Sequence, residues 1–222
     1  MPFKAIARHL PDLPISTVFD IGANVGQSAK AYLDAWPTAS IWCFEPVSSS
    51  YEALVQGVGG HPQVQVERLA LGEAESDAVA IEARRQGVRN RVLDVTGAGN
   101  YQRKVPRERV VMCTGDAYCA KRGIQHISFC KVDTEGLDLE VLRGLERMLS
   151  ANRIDLVQVE AGMNASNSSH VPFEAFRRHL HPRGYRLFSL PGQAVGMWGV
   201  PEMRRANPVF VSETVVKAHT RS

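Results

Sequence analysis

Short apolar runs rich in β-branched residues alternate with helical patterns along most of the chain. This alternation indicates a parallel sheet with helices on both faces. Leu139, Leu142, Leu145 and Leu149 recur at helical spacing and extend one predicted helix to about residue 149. The predicted strands span residues 16–21, 40–44, 64–71, 127–132 and 154–159, and the predicted helices begin near residues 26, 48, 138 and 172.

The end of the chain carries two more strand patterns, at 185–190 and 208–212, with no helix signal between them. They predict an antiparallel hairpin at one edge of the sheet. Further strands are expected at 78–83 and 109–113. The predicted fold is therefore α/β, with a doubly wound, mostly parallel, seven-stranded sheet, a terminal antiparallel hairpin and extra strands in the middle region.

We expect a single domain over residues 1–222, because this length fits one domain of ordinary size. Within it we distinguish an N-terminal segment (1–15), a basic, flap-like insertion (84–109) and the connection inside the terminal hairpin (191–207).

Composition narrows the class of protein. The chain is 44% hydrophobic and 22% charged, which is ordinary for a globular protein and excludes a disordered or fibrous one. The formal net charge of +3 is too small to drive non-specific nucleic-acid binding. The four cysteines form no CxxC pair and indicate buried, reduced thiols. No run of 18 apolar residues or signal-peptide core occurs, so we expect a cytoplasmic protein without a membrane span.

The first predicted strand leads through two glycines, Gly22 and Gly26, into a helix. Glycines allow a sharp turn close to a ligand, and the N–H groups that begin the helix can bind a carboxylate. The G-x-x-x-G spacing differs from the dinucleotide fingerprint and favours S-adenosyl-L-methionine over NAD. The expected cofactor contacts in this loop are Asp20, Gly22, Ala23, Asn24, Gly26 and Gln27.

Glu45 ends the second predicted strand, at a position where an acid can accept hydrogen bonds from both ribose hydroxyls. NAD and S-adenosyl-L-methionine share that ribose, so Glu45 alone does not distinguish the two cofactors. We expect Pro46 beside Glu45, and Ala70 and Leu71 after the third strand, to bound the rest of the cofactor.

Six motifs together resemble the FkbM-like family of class I methyltransferases that depend on S-adenosyl-L-methionine. They are VFDIGANVGQSA, CFEP, ERLALGE, KVDTEGLDLEVLRG, VQVE and GYRLFSL, and they lie between residues 17 and 212. The resemblance implies a Rossmann-like methyltransferase fold and O-methylation of a hydroxyl on a sugar, a glycan or a secondary metabolite.

Acidic side chains follow two of the central strands, at the edge where open α/β sheets bind their ligands. The acceptor hydroxyl needs a base or a cation that lowers its pKa. In a metal-free site Glu135, Asp133 or His170 is the base and Lys131 tunes its pKa; in a metal site Asp133 and Glu160 bind Mg²⁺. A structural ion-pair cluster is the alternative for these residues.

Residues 84–109 contain eight basic and two acidic side chains. They indicate either a solvated loop or a flap that recognises an anionic small-molecule or glycan acceptor. Tyr101 is the one aromatic residue of the segment, which disfavours nucleic acid as a partner. The sequence leaves the oligomeric state and the acceptor open.

Three other functions remain as alternatives. A nucleic-acid or protein N-methyltransferase is disfavoured because Asp-Thr-Glu-Gly (133–136) stands where a base-amino methyltransferase carries its Pro-Pro box. An NAD-dependent oxidoreductase is disfavoured by the glycine spacing. A non-catalytic module that binds the cofactor or a partner protein is disfavoured because Lys131, Asp133, Glu135 and Glu160 are all present.

Overall fold

A computed structural model describes residues 1–82, 91–93, 107–196 and 201–220. The strands are β1 (Thr17–Ile21), β2 (Ser40–Phe44), β3 (Val64–Glu67), β4 (Ala70–Leu71), β5 (Ser76–Glu82), β6 (Arg91–Leu93), β7 (Arg107–Cys113), β8 (Ile127–Val132), β9 (Ile154–Val159), β10 (Ala161–Gly162), β11 (Tyr185–Ser189), β12 (Ala194–Val195), β13 (Met203–Ala206) and β14 (Val209–Ser212). The helices are α1 (Phe3–His9), α2 (Gln27–Ala35), α3 (Ser48–Val58), α4 (Gly115–Arg122), α5 (Asp138–Arg143), α6 (Glu146–Ser150), α7 (Phe173–Leu180) and α8 (Glu213–His219), with a short 3₁₀ turn at His181–Arg183.

The main sheet has seven strands in the order β11-β14-β9-β8-β1-β2-β3. Strands β3, β2, β1, β8 and β9 pair in parallel, and β14 runs antiparallel to both β9 and β11. The predicted fold is confirmed, including the antiparallel hairpin. The carboxyl ends of the parallel strands meet along one edge, which is where such sheets bind ligands.

Two apolar layers fix the sheet between its helices. Alternate residues of one strand point to opposite faces, so neighbouring Val18 and Phe19 belong to different layers. Phe19 packs with α4 and α5, whereas Val18 packs with residues of α1, α2 and α3. Cys43, Cys119 and Cys130 are buried and unpaired, and Cys113 is half-buried and unpaired, as expected for reduced thiols.

Two predicted elements are interrupted in the structure. The strand expected over 64–71 leaves the main sheet after Glu67, and β4 joins a second sheet of order β4-β7-β5-β6. The helix expected from 138 to 149 breaks into α5 and α6 at Gly144, where a side chain would overlap the carbonyl oxygen of Gly72. Apolar spacing continues through both breaks and does not reveal them.

Among the described elements, three helices and four short strands were not predicted. They are α1, α4, α8, β6, β10, β12 and β13. The connection 191–207 is partly strand, because β13 pairs with β10 and β12 in a three-stranded sheet. Most of the basic segment 84–109 lies outside the described residues. Within the described part of the chain, no helix combines the length and apolarity needed to cross a membrane.

Replacing Gly144 with alanine should destabilise the protein by about 1–3 kcal/mol, because a Cβ would collide with the Gly72 backbone rather than with a flexible side chain. Gly60→Ala is the matched control, since nothing lies within 4 Å of its added Cβ. Denaturant unfolding measures both. Equal stability of the two variants would contradict the close packing of α5 on Gly72.

Candidate active site

A cleft of about 280 Å³ opens at the carboxyl edge of the main sheet, slightly below the roughly 300–1,000 Å³ of typical small-molecule sites. Its polar part is lined by residues of the loops after β1, β2 and β8. Its apolar part lies between β4 and the start of α5, with Met112 contributing from β7. The apolar residues that line this second part are Leu69, Ala70, Leu71, Met112 and Leu137.

The glycine loop after β1 turns through left-handed backbone at Gly22 (φ 80°), Asn24 (φ 50°) and Gly26 (φ 88°). The N–H groups of Gly22 and Ala23 both donate to the carbonyl oxygen of Phe44 at 3.0 Å, which ties the loop to the end of β2. The loop therefore has a fixed shape at the cleft.

Gly22 and Gly26 both lie close against other parts of the protein. A Cβ on Gly22 would overlap the Asp133 carbonyl oxygen, and a Cβ on Gly26 would lie 2.9 Å from Leu54 Cδ1. Gly22 lines the cleft and Gly26 does not. Glycine is thus required at position 22 mainly for the fit between the loops after β1 and β8. At position 26 it is required for the packing of α2 on α3.

The Glu45 carboxylate joins the loops that follow β1 and β2. Its Oε2 accepts from the Asn24 N–H and its Oε1 accepts from the Val47 N–H, both at 3.0 Å. Burial raises the pKa of Glu45, while these two N–H groups act in the opposite direction. Glu45 also lines the cleft, so its carboxylate can reach a ligand from a fixed position.

Lys131 lies under the cleft between two carboxylates. Its Nζ is 3.4 Å from Asp20 Oδ1 and 3.1 Å from Asp133 Oδ2. Burial alone would lower the pKa of Lys131, but the attraction and hydrogen bonds of Asp20 and Asp133 together outweigh it and raise the pKa. Lys131 is therefore a cation that holds the loop after β8 to the floor of the sheet.

Asp20 is completely buried and does not line the cleft. The described partner of Asp20 is Lys131, behind the surface of the cleft. Oδ2 of Asp20 has no hydrogen-bond partner within the described part of the chain.

The loop 133–136 folds around a carboxylate that the sequence analysis did not single out as a site residue. Asp138 accepts from the N–H groups of Thr134 at 3.4 Å and Gly136 at 3.2 Å. Burial is the largest cause that raises the pKa of Asp138, to about 7, and the charge of Asp133 adds to it. Glu135 adopts a left-handed conformation (φ 55°) that non-glycine residues rarely take, and it lines the cleft.

Glu160 and His170 come together outside the cleft. Oε2 of Glu160 lies 3.0 Å from Nε2 of His170, and Oε1 of Glu160 accepts from Arg205 on β13. Neither Glu160 nor His170 lines the cleft. Their polar side chains fasten the loop 163–172 to the small sheet.

Asn167 determines the hydrogen-bonding role of one ring nitrogen of His170. Nδ2 of Asn167 donates to the Arg204 carbonyl oxygen at 2.8 Å, and its Oδ1 accepts from the Ser169 N–H at 3.1 Å, which sets the orientation of the amide. Nδ1 of His170 therefore donates to this same Oδ1, at 2.9 Å. Both ring nitrogens face acceptors, which removes the support for His170 as the base.

The residues proposed for Mg²⁺ do not fit that ion. Asp133 pairs with Lys131, and Glu160 pairs with Arg205 and His170, so each carboxylate already has a cationic partner. In the described ranges no group of three or more His, Cys, Asp or Glu side chains is placed to hold a metal.

Of the sequence-predicted site residues, ten line the cleft and five lie behind or outside it. Those in the cleft are Gly22, Asn24, Gln27, Glu45, Pro46, Ala70, Leu71, Lys131, Asp133 and Glu135. Those outside its lining are Asp20, Ala23, Gly26, Glu160 and His170. Sequence reasoning missed Met112, Leu137 and Glu140, which also line the cleft. Glu140 could have been found from the predicted helix that begins at Asp138, next to the expected catalytic loop.

Asp138→Ala should destabilise the protein by about 1–3 kcal/mol, because two backbone N–H groups lose their acceptor. The folded-state pKa of about 7 lies above the ordinary aspartate value of 3.8, so the stability that Asp138 contributes is greatest below pH 4 and falls as the pH rises to about 7. Unfolding at pH 5 and pH 8 should show the larger loss at pH 5. The exposed Glu174→Ala is the control, and a loss for Asp138→Ala that is larger at pH 8 would contradict this assignment.

Solved methyltransferases share this fold. Magnesium protoporphyrin IX methyltransferase from Synechocystis PCC 6803, solved with bound S-adenosyl-L-methionine, is 10% identical with a TM-score of 0.51, and the match covers 94% of this chain and 74% of that one. M. capricolum TrmK, solved with S-adenosyl-homocysteine, is 8% identical with a TM-score of 0.51, over 89% of this chain and 62% of that one. Identities this low support the fold alone.

No curated protein matches the chain in sequence. The family model of the methyltransferase FkbM domain matches residues 20–187, from the end of β1 into β11, and so includes the loops that line the cleft. The chain therefore belongs to the FkbM family and is a methyltransferase that depends on S-adenosyl-L-methionine.

Proposed function

We propose that this methyltransferase acts on a hydroxyl group of a sugar, a glycan or a secondary metabolite. One observation carries the proposal: the cleft joins the glycine loop and Glu45 to the carboxylates of Asp133 and Glu135. The first pair of features suits the cofactor, and the second suits the removal of a proton from a hydroxyl group. We also propose that residues 1–222 form one catalytic domain.

The cofactor contacts follow from the order of residues along the cleft. Gln27 and Ser28 begin α2, whose first N–H groups lack partners inside the helix and suit the cofactor's carboxylate. Glu45 accepts from the ribose hydroxyls, and its neighbour Pro46 bounds the ribose. The apolar end of the cleft then takes the adenine ring.

Bound S-adenosyl-L-methionine supplies an electrophilic methyl group, so the protein's own task is to position the acceptor oxygen and take its proton. A positioned base typically contributes about 10²–10⁴-fold. The Asp133 carboxylate is held 3.1 Å from the Lys131 ammonium, a contact that suits fixing the loop rather than taking a proton from the acceptor. We therefore assign the base to Glu135, and positioning roles to Asp133 and Lys131.

The loop 163–172 lies next to the proposed acceptor side of the cleft. The Ser169 carbonyl oxygen lies 3.7 Å from the place of a Cβ on Gly136, so this loop borders the one that carries Glu135. In the proposal, Glu160 and His170 are positioning residues that hold the loop 163–172 in place through their contacts with Arg205 and Asn167. The excess of basic residues over 84–109 favours an acceptor with an anionic group, such as a phosphorylated or nucleotide-linked sugar.

Glu45→Ala should weaken binding of S-adenosyl-homocysteine by at least about tenfold, because the ribose loses an ionised acceptor and the two loops lose their link. Isothermal titration calorimetry gives the dissociation constant. Glu67→Gln is the control: this acid ends the adjacent strand β3 but binds Tyr118 and Arg122 instead. If Glu45→Ala and Glu67→Gln bind equally well, Glu45 has no role in the cofactor site.

Glu135→Gln should lower kcat for a hydroxyl acceptor by about 10²–10⁴-fold while leaving cofactor affinity within a small factor, because the amide cannot take a proton. The measurement is release of S-adenosyl-homocysteine with sugar, sugar-phosphate and nucleotide-sugar acceptors, and with tRNA and protein for comparison. Glu73→Gln, which removes another cleft carboxylate, is the control. Methyl transfer to tRNA or protein but to none of the hydroxyl acceptors would overturn the proposed acceptor class. Full activity of Glu135→Gln would overturn the assignment of the base.

A further inference from the structure

Glu140 is a cleft residue to which none of the preceding roles applies. It lies in α5, four residues before Gly144, and so on the same face of the helix. That face packs on the turn after β4, since a Cβ on Gly144 would overlap the Gly72 carbonyl oxygen and Arg143 pairs with Glu73 at 3.2 Å. Glu140 is therefore at the apolar end of the cleft.

The Glu140 carboxyl group has an unsatisfied acceptor. Its Oε2 is shut off from solvent, and within the described residues it has no hydrogen-bond partner. An acceptor enclosed in this way costs free energy until a donor reaches it. By contrast, Glu73 at the same end of the cleft pairs with Arg143, and Glu45 accepts from two N–H groups.

The surroundings of Glu140 select the kind of donor. Leu71, Met112 and Leu137 form an apolar enclosure that suits a flat aromatic ring better than a sugar. A nucleoside whose ribose is held at Glu45 extends its base along this enclosure. An adenine ring placed there carries one donor group on its six-membered ring, the 6-amino group. Among the described residues, Oε2 of Glu140 is an acceptor without a partner at that end.

We propose that Glu140 accepts a hydrogen bond from the 6-amino group of the cofactor's adenine and so determines the choice of base. This inference rests on the proposed position of the cofactor, with its ribose at Glu45. Helix α5 follows the loop that carries the proposed base, and in this proposal it also recognises the adenine. Glu140 is at most seven residues from any residue of that loop.

The test compares two ligands on three proteins by isothermal titration calorimetry. The ligands are S-adenosyl-homocysteine and its analogue with hydrogen in place of the 6-amino group. The wild type should prefer the natural ligand by about 10–100-fold, as expected for a hydrogen bond to a charged group. In Glu140→Ala the preference should fall to about onefold, since neither ligand then has an acceptor there.

Glu73→Gln is the matched control and should keep the wild-type preference, because it removes a carboxylate at the same end of the cleft that already has a partner. Alanine is the best helix former, so α5 should persist in Glu140→Ala, which thermal unfolding checks. If that variant is unfolded, Glu140→Gln decides, and its preference must be lower than that of the wild type.

Two results overturn the inference: a wild type that binds both ligands equally, or a Glu140 variant that keeps the full preference. Neither result depends on the acceptor. A wild type that discriminates between the ligands yet methylates no hydroxyl compound would contradict the proposed reaction while leaving the role of Glu140 in place.

Discussion

The contact between the buried Lys131 ammonium and two carboxylates is the constraint on which the rest of the site depends. Lys131 of β8 lies between Asp20 of β1 and Asp133 of the following loop, at 3.4 Å and 3.1 Å. A buried charge that lost one partner would be strongly destabilising, so the three groups must be placed together. The contact fixes the height of the loop 133–136 above the sheet, and with it the position of Glu135.

The other parts of the cleft extend from this contact by packing of backbone against backbone. The Asp133 carbonyl oxygen occupies the space where a side chain at position 22 would lie, so the glycine loop and the loop after β8 fit only with Gly22. Glu45 then holds the glycine loop to the loop after β2 through Asn24 and Val47. The result is a cleft in which, under the proposed function, the cofactor side and the acceptor side share one wall.

The sequence predicted the parts of this design that depend on local pattern. Strands β2, β8 and β9 match their predicted bounds, because a buried strand is a continuous apolar run that stops at the polar cleft. The breaks after Glu67 and at Gly144 were not predictable, since they arise from contacts with distant backbone, Met112 in one case and Gly72 in the other. Strands of two residues, such as β4 and β12, are too short to show a period.

Side-chain roles were harder to predict than positions. Asp20, Glu160 and His170 carry suitable chemistry and lie near strand ends, but each is paired with another protein group and does not line the cleft. A sequence shows which residues can act as acids, bases or ligands, but not which of them have already found partners. Asp138 and Asn167 illustrate the converse, because their importance lies in the backbone groups that they bind.

A crystal structure of the protein with bound S-adenosyl-homocysteine tests the central claim most directly. The account predicts the ribose hydroxyls at Glu45, the amino-acid end beside the start of α2, and the sulfur atom facing the loop that carries Glu135. A nucleoside bound outside the cleft, or bound in it with the ribose away from Glu45, would contradict the account.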